Sequence, residues 1–87
     1  MANLTIVVAT TREEIFLTDV NLDMVTQKEL IDSLVQNDVL EPYGDSIKWM
    51  MIDKLHHVPI REEDIPLSKL GFVDGDTIII VAVGLGQ

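Results

Sequence analysis

Residues Pro66 to Val83 read P-L-S-K-L-G-F-V-D-G-D-T-I-I-I-V-A-V. Asp74-Gly75 within this stretch predicts a tight turn, because both residue types tolerate the positive φ that such turns need. The next residues, Thr77 to Val83, form the longest apolar run of the chain and are rich in β-branched types, which favours a strand. The segment from Ile65 to Phe72 is too short and too broken for a full helix. This stretch therefore predicts a turn that leads into the final strand.

Two further strands are expected at the amino terminus. Leu4 to Ala9 reads L-T-I-V-V-A, and Glu14 to Val20 again alternates between apolar and polar residues. The polar segment Thr10 to Glu13 separates the two runs and is short enough for a hairpin. In the second strand, Ile15 and Phe16 are expected to point to opposite faces.

A helix is predicted to begin after Thr26. The sequence T-Q-K-E from Thr26 to Glu29 matches the capping box, in which the threonine hydroxyl and the glutamate carboxylate each accept a backbone N–H. The helix is expected to end near Asn37, ahead of a proline and a glycine in the following loop. Apolar residues follow the capping box at the spacing of one helical face, at Leu30, Ile31, Leu34 and Val35.

A third strand is predicted from Ile47 to Ile52. Its two faces are hard to assign because both carry apolar residues, and we expect Ile47 and Trp49 to point inward. A short edge strand is expected near His57-Val58, and Pro59 would end it because proline cannot donate a backbone hydrogen bond.

The composition is that of one globular domain. With 87 residues, of which 47% are hydrophobic and 24% charged, the chain has material for a single core. Six basic and fifteen acidic side chains give a formal charge of −9, which repels nucleic acid phosphates and anionic lipid. No apolar run approaches the roughly 20 residues that span a bilayer. We therefore expect a cytoplasmic protein that does not bind nucleic acid and does not insert into a membrane.

Catalytic residues, metal ligands and cofactors are not expected. Cysteine is absent, which removes thiol nucleophiles and zinc thiolates. Asp53, His56 and His57 are of metal-binding types, but they fall on an expected strand and its turn, where adjacent side chains point to opposite faces. The run Glu62 to Asp64 is expected on a solvated turn, without an apolar pocket to raise a carboxyl pKa. The sequence thus indicates a protein that is not an enzyme.

The order of these elements resembles that of the ubiquitin-like family. Strand, strand, helix, strand, short strand and long last strand is the β-grasp order. Without a gap, Pro66 to Gln87 is similar to the ending of ubiquitin. The resemblance implies an α+β fold, a mixed sheet that wraps one helix, with the first and last strands parallel at its centre. The positions that carry it are the identical Leu67, Ser68 and Thr77 and the apolar Phe72, Ile78 and Ile80.

The segment from Leu67 to Asp76 fits the pattern L-S-x-x-G-[FI]-x-x-G-D. This pattern resembles the bacterial ubiquitin-like proteins, which occur in type VII secretion loci and in operons that encode ubiquitin-type activating and conjugating enzymes. We expect a domain over residues 1–83 and a flexible tail over residues 84–87, because only Leu85 in the tail can bury apolar area.

The resemblance implies three possible functions, which differ in what they require of the tail. As a bacterial protein modifier, the chain would lose Gln87 to a processing peptidase, and Gly86 would be activated and conjugated to targets, with Gly84 and Leu85 as an extended stem. As an accessory protein of a type VII-like secretion system, it would dock on a secretion component without covalent chemistry. As a sulfur carrier, it would also need a terminal glycine.

The last strand also suggests a partner-binding patch. If Ile78 and Ile80 are buried, Ile79 and Val81 project from the other face, where ubiquitin-like folds present their apolar recognition patch. A cluster of exposed apolar side chains marks a contact site, and Phe16 or Met50 nearby would complete such a cluster.

Overall fold

The computed structural model describes residues 1–42, 44 and 47–84. The second strand has its predicted bounds, whereas the first starts earlier than expected and the last ends one residue later. In chain order the elements are β1 (Ala2–Val8), β2 (Glu14–Val20), α1 (Gln27–Gln36), β3 (Ile47–Met51), a 3-10 turn (Leu67–Leu70) and β4 (Thr77–Gly84).

The strands form one mixed sheet in the order β2-β1-β4-β3. β1 runs antiparallel to β2 and parallel to β4, with Ile6 opposite Ile78. β3 closes the other edge, antiparallel to β4, with Met51 opposite Ile80. Parallel first and last strands at the centre, with one helix on a single face, confirm the α+β β-grasp arrangement that the sequence implies.

The helix begins as its capping box predicts. The Thr26 hydroxyl accepts a hydrogen bond from the Glu29 backbone N–H at 3.3 Å, and the Glu29 carboxylate accepts one from the Thr26 N–H at 3.2 Å. Asn37 is the C-cap residue, where the helix was expected to end. Both ends are therefore set by residues that satisfy the free backbone groups of a helix terminus.

The core lies between α1 and the inner face of the sheet. Leu30, Ile31 and Leu34 of the helix are buried, while Lys28 on its outer face pairs with Asp32 at 3.2 Å. From the sheet and the loops, the core contains Leu4, Ile6, Val8, Leu40, Met51, Ile60, Leu67, Phe72, Ile78 and Ile80.

Ile47 and Trp49 have the inward orientation predicted for β3, but neither is fully buried. Ile47 is 47% exposed and Trp49 is only partly buried, whereas Met51 is fully buried in the core. Ile47 lies opposite Gly84 at the far end of the sheet, so it has the inward orientation of Met51 without core residues beneath it. The prediction therefore identified the residues that face inward, but the buried end of the strand is the end at Met51.

The short edge segment also lies later than predicted. Pro59 forms an isolated bridge with Ile52, and the Ile60 N–H donates to the Met51 carbonyl at 2.8 Å. His57 instead has a φ of 58°, which places it in the turn that precedes this bridge. Pro59 is tolerated because only a single bridge forms at this edge.

The predicted tail overlaps the structure only at Gly84. This residue ends β4 opposite Ile47, so the sheet extends one residue past the expected domain boundary at 83. The tail predictions for Leu85, Gly86 and Gln87 lie outside the described residues.

Candidate docking surface

The outer face of the sheet, opposite the helix, carries a cluster of apolar side chains. Ile78 and Ile80 are fully buried, and between them Ile79 is 43% exposed, as expected where successive side chains alternate between faces. The cluster draws on three adjacent strands and on the residue that follows β3. We call it the outer patch, and it comprises Val7, Met50, Ile52, Ile79 and Val81.

Strand register brings the outer patch together. In the parallel pair of β1 and β4, Val7 lies opposite Ile79. In the antiparallel pair of β3 and β4, Met50 lies opposite Val81. The Ile52 N–H donates to the Ile79 carbonyl at 2.9 Å, which places Ile52 beside Ile79. Side chains at such paired positions are close enough for contact, so the patch is continuous across the strands.

Met50 lies at the most sheltered point of the outer patch. Its side chain is only 7% exposed, yet it is not part of the core beneath the helix. Since the adjacent Met51 faces the core, Met50 faces outward and is covered by neighbours on the outer face. Val81 and Ile52 are half-buried, and Ile79 is the most exposed residue of the patch.

The structure therefore gives both predicted patch residues, Ile79 and Val81, the outward orientation. Of the two possible companions, Met50 is directly opposite Val81. Phe16 is on the same face and 73% exposed, but it pairs with Thr5 at the other edge of the sheet and is not part of the patch. The sequence pattern did not reveal Val7, whose place beside Ile79 follows from the parallel register.

Charged residues flank the outer patch on both sides. Lys48 precedes Met50 on the outer face of β3, and its ammonium group pairs with the Glu63 carboxylate at 2.5 Å. Glu14 of β2 lies opposite Val7 on the other side. The patch is therefore an apolar centre with a polar rim, which is the usual anatomy of a protein interface.

A buried glutamine fixes the strand that carries Met50. Gln27, in the first turn of α1, is 1% exposed. Its side-chain carbonyl accepts a hydrogen bond from the Met51 N–H at 2.5 Å, and its amide group donates to the carbonyls of Ile60 and Glu62 at 3.1 and 3.3 Å. Gln27 therefore links the helix to β3 and to the edge segment, and so holds the outer patch in place from behind.

The turn after β3 contains the one histidine-carboxylate pair of the described residues. Asp53 contacts His56 Nδ1 at 2.5 Å and accepts a weak backbone hydrogen bond from Leu55 at 3.4 Å. The side-chain hydrogen bond from His56 lowers the pKa of Asp53 despite the opposing effect of desolvation. Within the described part of the chain, no group of acidic residues and histidines has a metal-binding arrangement. The pair orders the turn.

A second carboxylate joins this turn to the start of β4. Asp76 accepts hydrogen bonds from Lys54 Nζ at 2.6 Å and from the Val73 N–H at 2.9 Å. Desolvation raises the pKa of Asp76, but the hydrogen bonds from Lys54 and Val73 outweigh it, and the net shift is downward. The Asp74-Gly75 turn is in addition bound to β1, since the Gly75 N–H donates to the Asn3 carbonyl at 2.8 Å.

No protein-family model matches this sequence, and no curated protein matches it either. In the part of the chain that the structure describes, no helix has the length and apolar character to cross a membrane. Similarity to known proteins is found instead among solved structures.

The similar structures include two ubiquitin-like domains and a protein designed on ubiquitin. The UBL domain of Plasmodium falciparum Dsk2 superposes with a TM-score of 0.69 at 18% identity, covering 94% of this chain and 97% of that one. A computationally designed protein based on human erythrocytic ubiquitin gives a TM-score of 0.65 at 22% identity, covering 100% and 98%. The EccD5 ubiquitin-like domain from Mycobacterium xenopi gives 0.55 at 18% identity, covering 99% and 96%. The chain therefore has the β-grasp fold of ubiquitin-like domains.

Proposed function

We propose that this chain is a ubiquitin-like recognition module that binds other proteins non-covalently through the outer patch. The observation that carries the proposal is the continuous apolar surface that β1, β3 and β4 form on the face opposite the helix. Clustered exposed apolar side chains usually mark contact sites, whereas isolated ones need no explanation.

The outer patch has the properties of a preorganised binding surface. Four of its five residues lie on strands, Ile52 directly follows β3, and the backbone beside Met50 is held by Gln27. A rigid site loses little conformational entropy on binding, which favours affinity. A partner with an apolar side chain could contact Ile79 and Val81 while the core on the other face stays unchanged. The chain itself is proposed to have no catalytic role.

Replacing both Ile79 and Val81 with aspartate tests this proposal. We expect partner binding in the native host to be lost, because burial of two carboxylates in an apolar contact is strongly unfavourable. The measurement is affinity capture by the wild-type and double-variant proteins, with bound proteins identified by mass spectrometry. Folding is checked by the dispersion of amide signals in NMR spectra.

Val73→Asp is the matched control, since Val73 is 56% exposed and lies in the turn before β4, outside the outer patch. This variant is expected to retain every partner. A double variant that stays folded and captures the same proteins as wild type would remove the outer patch from the proposal.

The covalent modifier is a second candidate function. The observation that favours it is that β4 pairs with β3 as far as Gly84, at the end of the sheet and outside the core. In this role a peptidase would remove Gln87, and Gly86 would be activated by an adenylating enzyme. The type VII-like accessory role is a form of the docking proposal and needs neither step.

Intact mass of the protein from its native host separates these functions. A mass that lacks Gln87, together with a branched peptide that joins Gly86 to a lysine, would support the modifier. A thiocarboxylate on Gly86 would instead indicate sulfur transfer. A retained Gln87 and no adduct would reject both, and the docking module would remain.

A further inference from the structure

A second surface feature lies on the helix side of the sheet, at the end where β4 finishes. There a groove opens between the β1–β2 turn, the segment that follows α1, the first half of β3 and the end of β4. We call it the end groove, and its walls include Val8, Leu40, Glu41, Ile47, Trp49 and Ala82. It is separate from the outer patch, which is on the opposite face.

The groove exists because the helix is shorter than the sheet. Ile78 and Ile80 of β4 are covered by the core, but Ala82, the next inward residue, is exposed. α1 ends at Gln36, and Ala82 lies opposite Trp49 across the β3–β4 pair with only a methyl group as its side chain. A small residue opposite a large one, beyond the end of the helix, leaves an apolar space between the described residues.

The space is large enough for a side chain from a partner. Its volume is about 430 Å³, within the range of small-ligand pockets. One wall is the indole of Trp49, whose Nε1 donates to the Glu41 carbonyl at 2.8 Å. This hydrogen bond fixes the ring, so the apolar wall is formed before any ligand arrives.

The charges at the end groove favour a cationic partner. Glu41 is the one charged side chain among the described residues that line it. The carboxyl end of α1, with its negative dipole, points to this side of the molecule, and its last turn contains no basic residue. Arg12, in the β1–β2 turn, is the nearby opposing charge, but the net charge of the chain is −9.

We propose that the end groove binds a short segment of a partner protein in which a bulky apolar residue is flanked by lysine or arginine. The apolar side chain occupies the space over Ala82 and beside Trp49, and the basic residue pairs with Glu41. The tail of this chain is the less suitable occupant, because Gly84 to Gln87 contains no cation to complement the groove.

A random-peptide display library tests the proposal and requires no identified partner. The wild-type chain is the bait, and Ala82→Phe, which fills the groove with its own side chain at an exposed position, is used for counter-selection. We expect enriched peptides that share a bulky apolar residue next to lysine or arginine. No enrichment, or enrichment that Ala82→Phe leaves unchanged, would overturn the proposal.

The enriched peptide is then titrated against the protein. Trp49 is the only tryptophan of the chain, so its fluorescence reports on the groove directly. We expect saturable quenching or a spectral shift, with affinity about two- to fivefold weaker in Glu41→Gln, the loss expected for one exposed ion pair. Equal affinity in that variant would reject the charge-based part of the proposal.

Further variants separate this inference from the other sites. Ile79→Asp is expected to leave peptide affinity unchanged, because the outer patch is on the other face. A chain that stops after Gly84 is also expected to bind the peptide as wild type does. If that truncation alone changes Trp49 emission and strengthens peptide binding, the tail is the natural occupant and the proposal of a foreign segment is wrong.

Discussion

At the scale of single residues, Gln27 has a structural role that the sequence around it does not predict. It lies within T-Q-K-E, where the capping box assigns roles to Thr26 and Glu29 and none to the glutamine. Among the described residues it is the one buried polar side chain, and its hydrogen bonds reach Met51, Ile60 and Glu62. Periodicity cannot identify such a residue, because its partners come from segments far along the chain.

Gln27→Ala is expected to destabilise the protein by about 2–4 kcal/mol, because the buried Met51 N–H and Ile60 carbonyl would lose partners. Urea unfolding measures the change. Gln36→Ala is the matched control, since Gln36 is an exposed glutamine in the last turn of the same helix, and it should stay within about 0.5 kcal/mol of wild type. Equal effects of the two changes would contradict the role given to Gln27.

Asp76 gives the protein a defined acid sensitivity. Its folded-state pKa lies below the ordinary value of 3.8, so its carboxylate contributes stability that is fully present above that value. This contribution is lost as the pH falls from 3.8 through the lower folded-state pKa. The difference in free energy of unfolding between wild type and Asp76→Asn should therefore be constant near neutral pH and shrink in this acidic window.

Denaturant unfolding at a series of pH values measures that difference. Asp64→Asn changes an exposed carboxylate of the acidic turn and should leave stability within about 0.5 kcal/mol of wild type near neutral pH. If the difference in free energy of unfolding between wild type and Asp76→Asn increased on acidification, the sign would contradict a lowered pKa of Asp76.

At the scale of elements, short sequence motifs predicted the element boundaries that local hydrogen bonds and turns determine. The capping box placed the start of α1, and the Asp74-Gly75 turn placed the start of β4, where Gly75 has a φ of 89°. β3 was harder, since apolar residues on both faces make alternation ambiguous. The burial of its residues depends on how far the helix extends across the sheet, and the sequence of one strand does not determine that distance.

Leu34→Ala tests the contact between α1 and the sheet. Leu34 is 4% exposed in the core, so we expect a loss of about 2–5 kcal/mol from its removed methyl groups and the resulting cavity. Ser33→Ala, on the exposed side of the same turn, is the control. A melting temperature of Leu34→Ala within a degree of wild type would mean that the helix packs differently.

At the scale of the whole molecule, the parallel pairing of β1 with β4 creates the candidate site. The sequence pattern predicts that Ile79 and Val81 face away from the core, but the position of Val7 beside Ile79 needs the register between the ends of the chain. The family resemblance implied that the two strands are parallel, but their register is known only from the structure. The end groove was beyond prediction altogether, because it is the space between elements whose relative lengths only the folded structure shows.

The central claim is that the outer face of the sheet, opposite the helix, binds partners through the outer patch. Methyl NMR of the protein, titrated with a partner captured by the wild-type chain, tests it most directly. We expect shifts to cluster on the outer patch, at Val7, Met50, Ile52, Ile79 and Val81, with those of the core residues Ile78 and Ile80 nearly unchanged. Shifts that cluster on α1 or along β2, with the outer patch unaffected, would contradict the account.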